Sequence, residues 1–515
     1  MTKIWVAVVA IASFCACDAF KILVVFPFPS KSHGILGEGV VRLLANSGHE
    51  VTYITPFPVK NPHPNVTQLD VSDQPPLPEA NLTAILNKEQ SYSDISKFFK
   101  MMTDMNIATI LNKNVQTLIN DPKQTFDVVV AEWMGNELFA GLAAVFDCPY
   151  IWLSTVEPHS FILELIDDTL NPSYNPGIIS AAVPPFSFTQ RLKELAFHIG
   201  SGLIKTFYFN KIDEENYKML FEEVIRKRGR GAPSFSELRY NTSLVLGNSH
   251  VSLGRPTRLP QNYKPVRGYH INPEIKPLPN DLQKLLDNAK NGLIFFSLGS
   301  NVKSKYMPEN LKRNLLKVFA GLKQTVLWKF EENLPNLPSN VHIVQWAPQP
   351  SILAHPNCIL FITHGGSLSL TEAVYFAKPI IGVPVLADQF TNVGMAINLG
   401  IGLKVDLSYD MADDLKVALG EALSSSSYTA KAKELSLIYH HRPATPAAEL
   451  VHWVEHVALT RGAPHLRSPA IDVPFYQKLY LDLAAITLIA LYILKKLINT
   501  LFGAKKNSQK KQKKN

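Results

Sequence analysis

Runs of apolar residues recur along the chain with a rhythm that sets its class. Six consecutive apolar residues, Ile22 to Pro27, suit a parallel strand covered on both faces. A helical segment follows over Gly37–Asn46 and is ended by Ser47-Gly48-His49. Val51–Thr55 reads as the next strand, completing a βαβ unit. Further strands are predicted at Phe126–Ala131, Tyr150–Ser154 and Leu244–Gly247. Between 156 and 235 the pattern turns helical and irregular, and residues 256–280, with six prolines, read as a linker. The rhythm then returns: Leu293–Leu298, Val326–Lys329, His342–Gln345, Ile359–Thr363, Ile380–Val385 and Gly402–Val405. Strand and helix alternating twice predict two Rossmann-like domains in tandem, with a ligand cleft between the carboxyl ends of their strands.

The two ends break this rhythm. Met1–Lys3 is a short positive start and Ile4–Phe14 an apolar run. Small residues follow at Cys15, Cys17 and Ala19, which is the grammar of a signal peptide over 1–19, cleaved after Cys17 or Ala19. Leu479–Leu494 is apolar but for Asp482, flanked by Tyr476, Tyr480 and Tyr492, and followed by Lys495 and Lys496. It predicts a membrane-spanning helix over 476–498, with the basic tail 499–515 cytoplasmic. Lys511 and Lys513, five and three places from the end, match the spacing of a lysine-based retrieval signal of the endoplasmic reticulum. The body, lying between, is expected in the lumen as a single-pass type I protein. Sequons at Asn65, Asn81 and Asn241 fit that side of the membrane.

Composition changes the picture little. Of 515 residues 46% are hydrophobic and 18% charged, which excludes a disordered chain. The formal charge is +8, and the eight lysines of residues 495–515, where there is no acid, account for all of it. The body is balanced, so no nucleic-acid partner is implied. Beyond the leader only Cys148 and Cys358 remain, in different halves, and both are expected as free thiols.

The chemistry gathers between Trp346 and Gln389. Ile359–Thr363 should deliver His364-Gly365-Gly366 to the start of a helix capped by Ser367 or Ser369. Paired glycines let an anion approach backbone N–H groups where the helix dipole favours negative charge, so the ligand should carry a phosphate or diphosphate. Glu372, one turn on, could accept from vicinal ribose hydroxyls. Trp346 at one strand end is placed to stack on a base, and Asp388-Gln389 at another to bind hydroxyls. In the first half, His33 follows the first strand within Pro29-Ser-Lys-Ser-His-Gly34, where a neutral imidazole could take a proton from a hydroxyl.

This ordered set, with Ser32-His33 early and Phe296-Ser-Leu-Gly-Ser300 opening the second domain, strongly resembles the UDP-glycosyltransferases, the animal and particularly the insect type. The resemblance implies an α/β GT-B fold: an acceptor-binding domain over 20–265, a linker over 266–290 and a UDP-sugar domain over 291–475. It implies that Trp346 and Gln349 meet the uracil ring and ribose, and that Ser300, His364, Gly366 and Ser369 meet the diphosphate. Glu372 would bind ribose, and Asp388 with Gln389 the sugar. His33 would be the catalytic base. Glu132 stands where the family has an orienting Asp, and is preferred to Asp127 in the same stretch. Leu368 stands where many relatives place Asn, which puts that amide contact in question.

The implied reaction is an inverting transfer of a hexose, glucose by resemblance, from a UDP-sugar to a hydroxyl of a small lipophilic acceptor, as in detoxification. UDP-glucuronic acid stays open as donor. The acceptor pocket is expected from residues 85–120 and 156–235. The chain contains no Asp-x-Asp, so neither a metal nor another cofactor is expected. A homo-oligomer stays open. An NAD-linked oxidoreductase is disfavoured, since Gly34-Ile-Leu-Gly37-Glu-Gly39 is not G-x-G-x-x-G and the second strand ends in Thr55-Pro56 without an acid. A non-catalytic protein binding nucleotide-sugar or lipophile is the alternative that Glu132 and Leu368 would support.

Overall fold

The computed structural model describes residues 19–90, 95–178, 180, 182–254 and 257–512; the expected leader lies outside them, apart from its last residue. The chain forms two compact units, one ending at Arg467 and one beginning at Ser468.

The first unit holds two parallel sheets. The first has β1 (Lys21–Val25), β2 (Glu50–Thr55), β3 (Val66–Asp70), β4 (Val128–Glu132), β5 (Tyr150–Ser154), β6 (Leu244–Gly247) and β7 (Tyr263–Pro265), in the order β3-β2-β1-β4-β5-β6-β7. The second has β8 (Leu293–Ser297), β9 (Thr325–Lys329), β10 (Val341–Val344), β11 (Cys358–Thr363), β12 (Ile380–Gly382) and β13 (Gly402–Lys404), in the order β10-β9-β8-β11-β12-β13. The central strands are buried on both faces, as their unbroken apolar runs require. In each sheet the order reverses at one place, between β1 and β4 and between β8 and β11. Such reversals leave a crevice at the carboxyl ends, where ligands bind in open α/β sheets.

Two edge strands were not expected. β3 has a burial pattern with no fully buried residue, and β7 sits inside the proline-rich stretch. Neither carries a continuous apolar run, so neither announces itself. Cys148 and Cys358 are both free.

The carboxyl ends of the sheets face one another. Ser30 Oγ, after β1, donates to Asn301 Oδ1, after β8, at 2.9 Å. Ala80 bridges to Val302, and Thr83 Oγ1 donates to the Tyr306 carbonyl at 2.7 Å.

The chain passes between the domains twice. After β7 it enters the second, and after the helix Ser427–His440 it returns. The returning helix, Pro446–Leu459, lays Leu450, Val454 and Val457 into the core built on β1, β4 and β5 of the first sheet. The two crossings lie side by side, Tyr439 Oη donating to the Arg267 carbonyl at 3.0 Å.

The second unit contains a 32-residue helix, Leu481–Gln512. Among the described residues no helix is long and apolar enough to cross a membrane. The expected span over 476–498 is corrected on this point. Its uncharged part, Leu483–Leu494, lies between Asp482 and Lys495. That part rises only ~18 Å, against a hydrocarbon core of about 30 Å. Tyr480, with φ 54°, separates the helix from the apolar residues before it.

Candidate active site

At the first reversal, β1 and β4 run in register with Val25 beside Ala131, so the residues that follow them emerge together. The helix α1 (Lys31–Asn46) begins six residues earlier than its pattern predicts, which puts His33 on its first turn rather than in a loop. Glu132 is the last residue of β4, its side chain wholly buried. His33 Nδ1 pairs with Glu132 Oε1, and the imidazole is 17% exposed, so its other edge is open. The Phe28 ring packs against the imidazole at 4.4 Å between centroids. Asp127 lies at the opposite end of the sheet and accepts from the Lys21 amide at 2.7 Å, a strand-start role.

At the second reversal, the turns after β8 and β11 interlock. A Cβ added to Gly299 or Gly366 would come within 2.5 Å of the His364 ring, so the imidazole is seated between two glycine backbones. Burial, and then the nearby Lys329 ammonium, lower the His364 pKa to about 4, and the ring is neutral at physiological pH. Lys329 Nζ donates to the Gly299 carbonyl at 2.9 Å and pairs with Glu331 at 2.7 Å. The helix α2 (Ser367–Tyr375) starts from Gly366 with no side-chain cap. Ser367 and Ser369, expected as caps, lie within its first turn instead. Its leading N–H groups are therefore left for another acceptor.

A connected trio joins α2 to the helix after β10: Gln349 Nε2 donates to Ser369 Oγ at 3.1 Å and, one turn further along α2, to Glu372 Oε2 at 2.8 Å. His270 Nε2 lies 3.5 Å from the other Glu372 oxygen. Trp346 does not end a strand; it lies two residues past β10, is 53% exposed, and has the Lys31 ammonium 4.4 Å above its ring. Ser300 is partly buried in the turn after β8, its carbonyl accepting from Lys303 Nζ at 2.9 Å.

Asp388 and Gln389 sit at the start of α3 (Gln389–Asn398), past β12 rather than at its end. Asp388 Oδ2 accepts from Asn392 Nδ2 at 2.7 Å. Burial pushes its pKa up, while the Asn392 hydrogen bond and the charges of Arg267 and His33 act against that rise. Asp388 is thus within electrostatic reach of His33 across the cleft. Gln389 differs from expectation: its carbonyl oxygen is occupied by the Val385 and Leu386 amides at 2.8 and 3.0 Å, so it braces the loop, and only its NH₂ remains for a ligand.

The motif reading did not identify Arg267. It is fully buried, and its guanidinium donates to Ser367 Oγ at 2.9 Å and pairs with Glu157 at 2.6 Å. Asn248 Nδ2 reaches the same hydroxyl at 3.1 Å. Asn248 thus fastens the first domain, and Arg267 the first crossing, to the start of α2. Arg267 lies in the proline-rich stretch, where no periodic pattern marks it. Among the described residues no group of three His, Cys, Asp or Glu could hold a metal ion.

Residues 21–514 match the family described as UDP-glucoronosyl and UDP-glucosyl transferase. The chain belongs to the UDP-glycosyltransferase family. UDP-glucosyltransferase 2 of Dactylopius coccus is 32% identical over 507 residues, covering 96% of each chain. UDP-glucuronosyltransferase 2B13 of Oryctolagus cuniculus is 31% identical over 398 residues, covering 75% of this chain and 71% of its own. A solved UDP-glucose:anthocyanidin 3-O-glucosyltransferase, in complex with UDP, superposes with a TM-score of 0.54. That likeness is at 17% identity over 85% of this chain and 99% of the other. The fold is GT-B, and the protein is a UDP-glycosyltransferase enzyme.

Within this UDP-glycosyltransferase the two departures from the family pattern have physical outcomes. The longer Glu132 carboxylate still meets His33. Leu368 is half-buried against the apolar core of the first domain, so an apolar contact between domains stands where an amide was expected.

Proposed function

We propose that the enzyme transfers glucose from UDP-glucose, with inversion, to a hydroxyl of small lipophilic acceptors in detoxification or modification of endogenous and foreign compounds. The observation that carries this reading is the pairing of His33 with buried Glu132 at one reversal, opposite an uncapped helix start at the other. His33 Nε2 takes the acceptor proton as the oxygen attacks the anomeric carbon. Glu132 holds Nδ1, fixes the tautomer and offsets the charge that forms. The leading N–H groups of α2 receive the departing diphosphate, helped by a neutral His364 that donates a hydrogen bond rather than a charge. Gln349 and Glu372 hold ribose, Trp346 stacks on uracil, Ser300 and Ser369 border the diphosphate, and Asp388 meets sugar hydroxyls. Glucose as the sugar is supported by the insect relative's name, whereas the mammalian relative's name points to glucuronic acid.

The test is to incubate the full-length protein with a phenolic panel and either donor, following product mass and anomeric configuration. A β-glucoside from α-linked UDP-glucose is expected. Exclusive glucuronide formation overturns the donor, and retained configuration overturns the single displacement. UDP binding with no sugar turnover would favour the alternative, a non-catalytic nucleotide-sugar-binding protein.

The localisation proposed with it is the endoplasmic reticulum with both domains luminal, supported by the leader grammar and by the exposed sequon residues Asn65 and Asn241. In sealed microsomes the body should resist added protease and shift on deglycosylation. Digestion in intact vesicles overturns the assignment.

A further inference from the structure

Between the two domains lies a cavity of ≈ 70 Å³ whose walls include Val156, His159, Leu170 and Ile178 from the first domain and Asp388 and Met395 from the second. Asp388 is the proposed sugar contact, so the cavity adjoins the transfer site. Its first-domain wall belongs to a segment expected to receive the acceptor.

His159 is the anomaly in that wall. It follows β5, two strand positions from His33, and is only 4% exposed. Neither ring nitrogen has a hydrogen-bond partner among the described residues. Its neighbours offer none: the Trp133 and Phe161 rings pack beside it at 5.1 and 6.2 Å between centroids. The Trp133 N–H is already committed to Glu137 Oε1 at 3.1 Å. Burial, and then the Lys205 ammonium, lower the His159 pKa to about 3, so the ring stays neutral. A neutral imidazole is one donor and one acceptor. Leaving both unmet in a buried wall is costly unless something supplied from outside meets them.

We propose that His159 is a specificity-determining residue for the acceptor, its imidazole hydrogen-bonding a second polar group on the molecule whose first hydroxyl is glycosylated. The acceptor class is then a small, flat, apolar body with two polar groups, a diol or a hydroxy-carbonyl, rather than a simple phenol. The inference rests on the acceptor-transfer reading above. A site built to hydrogen-bond a hydroxyl discriminates against an analogue lacking it far more than an apolar pocket discriminates by shape, because the analogue leaves the buried group unpaired. Among molecules that fit, a second hydroxyl in the right place should raise kcat/KM by roughly 10–100-fold.

The test compares 1-naphthol with the dihydroxynaphthalene isomers, using the full-length protein and both UDP-sugars. At least one isomer should be preferred by that factor. His159→Phe should abolish the preference while leaving 1-naphthol turnover and UDP affinity within about threefold. His159→Gln, which keeps a donor and an acceptor, should restore part of it. No preference in the wild type overturns the proposal and means that water alone satisfies the ring. A preference that survives in His159→Phe also overturns it. If no naphthol is glycosylated with either donor, the transfer reading fails. Saturable quenching of Trp133 fluorescence by the same panel, compared between wild type and His159→Phe, then still decides the role of His159.

Discussion

One methylene distinguishes Glu132 from the aspartate expected at its position, and the first turn of α1 accommodates it: His33 sits close enough to β4 for the longer carboxylate to reach Nδ1. The pair should behave as a unit. His33→Ala should lower turnover by ~10²–10⁴ while calorimetric UDP affinity stays unchanged. Glu132→Gln, which keeps the shape but loses the charge, should also lose at least ~10²-fold. A variant of either residue turning over within threefold of wild type would remove it from the mechanism. A second residue-scale effect concerns stability. Asp213 is 2% exposed, and burial followed by the Glu137 charge raises its pKa to about 7, from an ordinary value near 4. A raised folded-state pKa means that the folded protein holds the proton more tightly than the unfolded chain. Stability from this group is therefore full below about pH 4 and declines as pH rises towards 7. Asp213→Asn should raise the unfolding midpoint at pH 8 clearly more than at pH 5. A shift of equal size at both values would show that the carboxyl is not titrating there.

At the scale of elements, the glycines around His364 set the donor turn. Gly299 has φ 80°, a backbone region that side chains resist, and at both Gly299 and Gly366 a Cβ would meet the imidazole at 2.5 Å. Gly299→Ala and Gly366→Ala should each weaken UDP binding by at least ~10-fold, with circular dichroism unchanged, because His364 must move. Wild-type affinity in both would dissociate that turn from the nucleotide. Leu368→Asn tests the apolar contact that replaces the family amide: stripped of its packing, the variant should lose roughly 1–3 kcal/mol of stability rather than improve donor use. The central strands and the two reversals were legible because a doubly covered parallel strand must be apolar over its length, as Leu293–Phe296 and Tyr150–Leu153 are before each strand closes on a serine. The edge strands were not, since half-exposed β3 mixes polar and apolar residues like a loop. Asp388 and Gln389 were recognised by motif, yet the brace formed by the Gln389 carbonyl depends on a loop conformation that spacing does not encode. His159 left no mark because a lone histidine among aromatic residues reads as ordinary core.

For the whole molecule, the return of Pro446–Leu459 to the first domain is the feature least visible in sequence, since its partners lie roughly three to four hundred residues away in β1, β4 and β5. Leu450, Val454 and Val457 are fully buried there, and each contributes on the order of 1.5–3 kcal/mol. A chain ending at residue 445 should therefore lose the stability of its first domain, seen as rapid proteolysis of that half. A chain ending at Arg467 keeps its unit whole and should retain UDP binding. Equal stability of the two truncations would show that the returning helix is dispensable.

Two adjacent crossings, linked by Tyr439 and Arg267, also restrict how the halves can part. Bodies joined at a single point swivel freely; joined by two neighbouring straps, they rock like the leaves of a hinge. The cleft then has one main degree of freedom. Sugar-nucleotide entry and UDP exit become the same excursion run in opposite directions, so a substitution that stiffens the straps would slow both together.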